Sequence, residues 1–326
     1  MGDTVEVVKA LVSPCEKLID AVHAAIGKAY EPHYVRKMAE AKAHEIAVIG
    51  KALRESCDIP ISYNKSDISM DTTNWEQFVN RTQSRLAFQE LKKQENIEAV
   101  ILQAYYELEG ETEVSNTPID PDWLLRFFNS VENVSTEEMR RLWAKILVGE
   151  TKSPGTVSIR TMSMVQNISK EEALLFQRVL PLVLRARRHD YFLFADTNIL
   201  RKNNVRYNDL LVLDECGLVM SSRDTMAALS ASDEDEELMS SFHSQSLIVR
   251  LRDPSTKQQR VAISIYPLTK AGKELANILY VGSNDDYIFD VAESVAKKAA
   301  VTATVHNFYG ISGYEVFYDS EVLAKF

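Results

Sequence analysis

The stretch YPLTKAGKELANIL, Tyr266–Leu279, leaves an alternating strand through Leu-Thr-x-x-Gly and enters an amphipathic helix. A junction of this kind often closes the wing of a winged helix, so the reading of the fold begins here. Upstream, QRVAISIYPL places Val261, Ile263 and Ile265 on one strand face, as a half-buried strand requires. Before it stand SLIVRLRD and the turn DPSTK, which together predict a hairpin that would be the wing. Further back, YNDLLVLDECGLVMSS predicts a short helix, a stop at Gly217 and an apolar strand. That helix stands where a major-groove reader would. Its charges, Asp209, Asp214 and Glu215, are all acidic, whereas groove readers carry Arg, Lys, Asn or Gln on the exposed face. A protein-binding or purely structural module therefore fits better than a DNA reader.

The helical segments before it are well punctuated. In IDPDWLLRFFNSVENV, Asp120 is a candidate N-cap and Pro121 suits the first turn, where its missing N–H costs nothing. Ser135 with Glu138 and Ser169 with Glu172 fit the reciprocal capping box. Nearer the start, Val8, Leu11, Cys15, Leu18, Ile19, Val22, Ile26 and Tyr30 form one apolar stripe on a helix. A second helix is predicted in YVRKMAEAKAHEIAVIGKALRE, and WEQFVNRTQSRLAFQELKKQENIEAVILQAYYELE reads as one long helix or two joined at Lys93 to Asn96. After Leu279 the sequence predicts one more helix and one or two strands. The expected fold is mainly α: a helical N-terminal region over 1–113, a helical module with a winged-helix-like α+β domain over 114–281, and a small α/β C-terminal appendage over 282–326.

The segments DWLLRFFNSVENVSTEEMRRLWAKILVGE, PGTVSIRTMSMVQNISKEEALLF, LLVLDECGLV and YPLTKAGKELANIL occur in that order. Together they resemble a bacterial family of unknown function related to the abortive-infection alpha proteins of phage defence. The resemblance implies a prokaryotic cytoplasmic protein with a role against phage, and it brings no catalytic residues. One departure is the acidic run MSSRDTMAALSASDEDEELMSSFHSQ between Gly217 and Gly272, expected to be an inserted loop or short helix.

Composition narrows the chemistry. The chain has 326 residues, 45% of them hydrophobic, and a formal net charge of -10. That balance opposes sequence-independent attraction to nucleic-acid phosphates. Three cysteines form no C-x-x-C, and six histidines form neither H-x-x-x-H nor H-E-x-x-H, so no zinc site is expected. Eleven glycines make no phosphate-binding loop. Neither a signal peptide nor a transmembrane span is expected. The expectation is a cytoplasmic protein without cofactor, metal or catalytic residues.

One basic and aromatic segment stands out. In RARRHDYFLFADTNILRKNNVRY, Arg185, Arg187, Arg188, Arg201, Lys202 and Arg206 are interleaved with Tyr191, Phe192 and Phe194. This pattern suits single-stranded nucleic acid or another anionic partner. The alternative is that the aromatics lie in the core and the arginines cap helix ends. The N-terminal stripe likewise has three readings: a peripheral contact at the inner membrane, a buried helix–helix contact, or a homo-oligomer interface. On balance the sequence favours a non-enzymatic interaction or sensor protein recognising a protein partner, a phage component or a membrane-associated partner. A nucleic-acid-binding regulator is the alternative.

Overall fold

The computed structural model describes residues 13–26, 75–109, 111, 114–186, 189–222, 225–231, 237–241, 247–252, 259–279, 284–299, 302–312 and 315–326. The helix expected over 34–55 lies outside them. The chain is mainly helical with antiparallel strands, an α+β architecture. It divides into two compact units, Met1–Ile159 and Arg160–Phe326.

The first unit is helical. It contains α1 (Pro14–Ile26), α2 (Trp75–Leu108), α3 (Pro121–Val131) and α4 (Glu137–Lys152), with α5 (Ile159–Val165) beginning at its end. α2 runs unbroken through Lys93–Asn96. Asn96 is buried there, donating to Glu132 O at 2.7 Å and accepting from Arg140 at 2.6 Å, so its side chain ties helices together instead of breaking one. α1 packs on α2, α3 and α4. Its stripe residues Leu18, Ile19 and Val22 are buried, which gives the stripe a core role. The centre is aromatic: Trp123 stacks on Phe127 at 5.2 Å, and Trp143 meets Phe127 edge-on at 5.6 Å.

Local signals set the helix starts. Asp120 accepts from the amides of Asp122 and Trp123, with Pro121 in the first turn. The Ser135–Glu138 box does not form, because α4 starts later, with Thr136 as N-cap and no side-chain cap bond. At the other end of α4, Lys17 Nζ donates to Thr151 O at 2.8 Å and to Ser115 O at 2.7 Å. A cation at the carbonyl end of a helix is favourable. Burial pulls the Lys17 pKa below its ordinary value, with the charge of Glu150 opposing. The buried Glu150 carboxylate accepts from Gly155 N (2.6 Å) and Val157 N (3.2 Å), folding the Pro-Gly turn over the helix end.

The second unit contains α6 (Lys170–Val179), α7 (Thr197–Lys202), α8 (Tyr207–Glu215), α9 (Lys270–Ile278) and α10 (Asp285–Ala299). Its strands are β1 (Val183–Ala186), β2 (His189–Phe194), β3 (Met226–Ala231), β4 (Glu237–Ser241), β5 (Leu247–Arg252), β6 (Gln259–Pro267), β7 (Thr302–Ser312), β8 (Glu315–Tyr318) and β9 (Ala324–Lys325). The Ser169–Glu172 capping box forms and starts α6. Among the described residues all pairings are antiparallel, in the order β3-β6-β2-β1-β4-β5-β7-β8, with β9 also on β7.

Two expectations are corrected here. The strand SLIVRLRD does not pair with QRVAISIYPL: β5 lies between β4 and β7, while β6 pairs with β3 from Met226↔Ser264 to Ala231↔Gln259 and with β2 on its other side. The acidic run expected to be a loop or short helix supplies β3 and β4. Both corrections have one cause. Alternation identifies the faces of a strand but not its neighbours, and Asp and Glu make a segment look unlike a strand. Residues 302–307 of β7 pair along β5, and α1 packs on α3 and α4.

Candidate partner surface

The Leu-Thr-x-x-Gly junction fastens α9 to the end of α8. Gly217 follows α8 with φ +71°, a left-handed conformation that favours glycine. Leu218 and Val219 are buried, and Val219 bridges to Leu268. Thr269 donates from its backbone to Leu218 O at 3.0 Å and from its hydroxyl to Gly217 O. The same hydroxyl caps α9 by accepting from Gly272 N at 3.1 Å. Gly272 is obligatory for a second reason: a Cβ there would stand 2.1 Å from Leu218 O.

α7 and α8 are set by their own caps. Asp196 accepts from Asn198 N and Ile199 N and reaches across to Ser294 and Lys298 of α10. Between the helices Asn204 has φ 59°, a conformation Asn tolerates. In α8, Asp209 accepts from Arg206 N at 2.8 Å and pairs with Arg178 at 3.5 Å. Asp214 accepts from Ser221 N and its hydroxyl, holding the chain after Val219. Two of the three acids read as facing a partner thus serve the fold. Leu210 and Leu213 point into the core, and the opposite row at helical spacing is Asn208, Leu211 and Glu215. Leu211 is 38% exposed, and no cation stands in this row.

Four of the six basic residues are described, each in its own setting. Arg185 is exposed on β1 with its guanidinium 6.0 Å from the Tyr191 ring centre. Arg187 and Arg188 lie outside the described residues. Arg201 and Lys202 occupy the last turn of α7, where positive charge suits the helix dipole. Lys202 is bound to both oxygens of Asp290, which raises its pKa. Arg206 precedes α8 and is exposed. Phe192 and Phe194 are core side chains, so neither offers a base a stacking face.

Other reactive groups are occupied in packing. Burial and the adjacent Glu172 carboxylate push the Cys216 thiol up to about 11, so it is protonated at neutral pH. Burial also raises the Tyr287 phenol, whose oxygen accepts from Phe194 N at 3.3 Å. Among the described residues no group of three or more His, Cys, Asp or Glu side chains could hold a metal ion, and no helix is long and apolar enough to cross a membrane. In the first unit a shallow cleft of about 560 Å³ lies over Trp123 and Glu150, walled by Pro118, Ile119, Pro121 and Pro154.

The tie through Asp196 was not legible in sequence, because Ser294 and Lys298 lie about a hundred positions away. It makes stability depend on acid. Burial alone would raise the Asp196 pKa, but Lys298, the Ile199 amide and Ser294 together hold it below its ordinary value. The carboxylate's contribution is therefore complete above its unfolded pKa of about 3.9 and is lost as pH falls through the lower folded value. Asp196→Asn should destabilise the chain at neutral pH, with the gap closing below about pH 4. Urea melts of the two proteins across pH 3 to 7 read this directly, and a gap independent of pH would disprove it.

The family model for a protein of unknown function, DUF2806, matches residues 80–292. The chain belongs to the DUF2806 family. The family's span includes α3 and α4 of the first unit and the elements of the second into α10. No curated protein and no solved structure matches the chain.

Proposed function

We propose that this DUF2806 protein is a non-enzymatic interaction or sensor protein that recognises a protein partner through a winged-helix-like module, within bacterial anti-phage defence. The module would comprise α6, β2, α7, α8, β3, β6 and α9, supported by β6 pairing with both β2 and β3, with β1 ahead of β2 and with β4 and β5 inserted between β3 and β6. The role in defence rests on the resemblance to the abortive-infection alpha proteins. The observation that carries the reading is the outward row of α8. Asn208, Leu211 and Glu215 present an apolar centre with an acid and an amide, a composition suited to protein and opposed to phosphate.

A tagged chain and its Leu211→Glu variant, expressed in bacteria with and without phage infection, test the proposal by crosslinked capture. The parent is expected to retain a defined protein that the variant retains at least tenfold less. Equal retention by both, or none under either condition, would overturn the reading. Exposed Arg185, Arg201 and Arg206 support the alternative, a nucleic-acid-binding regulator. On that reading the chain binds short DNA or RNA in a salt-dependent way, and Arg187→Glu with Arg188→Glu weakens binding. Peripheral membrane contact through the N-terminal helix is less well supported, since the buried Leu18, Ile19 and Val22 leave little of the stripe for lipid.

A further inference from the structure

β7 has two edges with different partners. One is paired with β5 along Thr302–Asn307, while the other carries β8 over Phe308–Ser312 and β9 over Thr304–Val305. The segment Asp319–Phe326 is held on this second edge mainly by main-chain groups, with one side-chain bond at its entry, Tyr309 donating to the Asp319 carboxylate at 3.0 Å. Leu323 N donates to Val305 O at 2.8 Å, Phe326 N to Ala303 O at 2.9 Å, and Ala303 N to Phe326 O at 3.3 Å. At the entry, Asp319 N donates to Asn307 O. There the buried His306 ring places Nδ1 3.0 Å from Asp319 O and 2.9 Å from Glu321 O, while Nε2 meets the Thr304 hydroxyl at 2.8 Å.

Beyond Asp319, the apolar side chains of the segment contribute little. Val322, Leu323 and Phe326 remain 48%, 42% and 38% exposed. A strand held by its backbone while its apolar side chains face solvent is the arrangement of an added edge strand, in which main-chain hydrogen bonds supply the affinity. The edge beneath it is preformed, because β5 and the buried Ala303, Val305 and His306 fix it from the other side.

We propose that the β7 edge at Ala303–Val305 is a strand-accepting site occupied in cis by residues 319–326, and that the same segment of a second copy of this chain can take its place. The second copy is the favoured occupant because its segment carries by construction the register and the two carbonyls that His306 engages.

The test uses the full chain with Leu323→Pro, which removes the donor to Val305 O at an exposed side chain and so leaves the core intact. The probe is a fluorescent peptide of residues 319–326, read by anisotropy. Saturable binding to the variant, at least tenfold tighter than to the parent, is expected, and a peptide N-methylated at Leu323 should lose it. A variant that folds by circular dichroism and binds no peptide overturns the proposal. Equal binding of a scrambled peptide overturns the second copy as occupant. If the variant does not fold, hydrogen exchange on the parent decides: the Leu323 and Phe326 amides should exchange at least tenfold faster than the β5-facing amides of Thr304 and His306, and equal protection rejects a displaceable strand.

Discussion

Replacing Gly272 by alanine should destabilise the second unit by about 3 kcal/mol, at the upper end of the usual cost of overpacking. The new Cβ would lie 2.1 Å from Leu218 O and 3.1 Å from Leu218 C, both backbone atoms, so no side-chain rotation relieves the clash. Either α9 moves away from the α8 exit or the Leu218 peptide shifts. The second path breaks the Thr269 N to Leu218 O bond and disturbs the Val219–Leu268 bridge. A urea melt gives the size of the effect. Thr269→Ser serves as the control, since it retains the hydroxyl that bonds Gly217 O and Gly272 N. A Gly272→Ala protein as stable as the parent would show that the close approach of α9 to Leu218 is wrong.

The first unit should respond as strongly to Trp143→Ala. Trp143 is completely buried and meets Phe127, which in turn stacks on Trp123. Truncation removes one of the cluster's two indoles and leaves a cavity where α4 packs against its neighbours. The expected loss is about 3 to 5 kcal/mol. Leu125→Ala is the comparison, because Leu125 lies on α3 and is 56% exposed. Its change should stay within about 0.5 kcal/mol, as surface substitutions usually do. Near-equal melting midpoints for the two variants would contradict the aromatic core.

The parts of the fold that could be read in advance are those set by neighbours in sequence. Asp120 with Pro121, Ser169 with Glu172, and Thr269 with Gly272 each satisfy a helix end from within a few residues, so their spacing alone announces the start. Ser135 with Glu138 carries the same signal, yet α4 begins at Glu137 with Thr136 as its cap. Spacing offers a cap, and packing decides whether it is taken. The strand partners were hidden for a different reason. β6 alternates clearly, but nothing in its residues distinguishes β3 from β5 as its neighbour, and the nearer apolar strand was the wrong one.

The candidate surface divides in the same way. Charge along α8 is legible, whereas its direction is not. Asp209 and Asp214 are consumed by the Arg206 amide and by Ser221, leaving Glu215 with Leu211 and Asn208 outward. The basic segment was legible as composition, whereas the settings of its described members were not. Phe192 and Phe194 enter the core, and Lys202 is engaged by Asp290. Burial of these two rings depends on the strand's place in the sheet, which composition does not show.

The place of β6 in the sheet also bears on synthesis. β2 carries Phe192, Leu193 and Phe194 and leaves the ribosome before β6, the strand that covers its free edge, has been made. At about 5–20 residues per second the delay between them lasts on the order of several seconds. During that interval an apolar strand has an open edge, and the nascent chain must be protected until Pro267 has emerged.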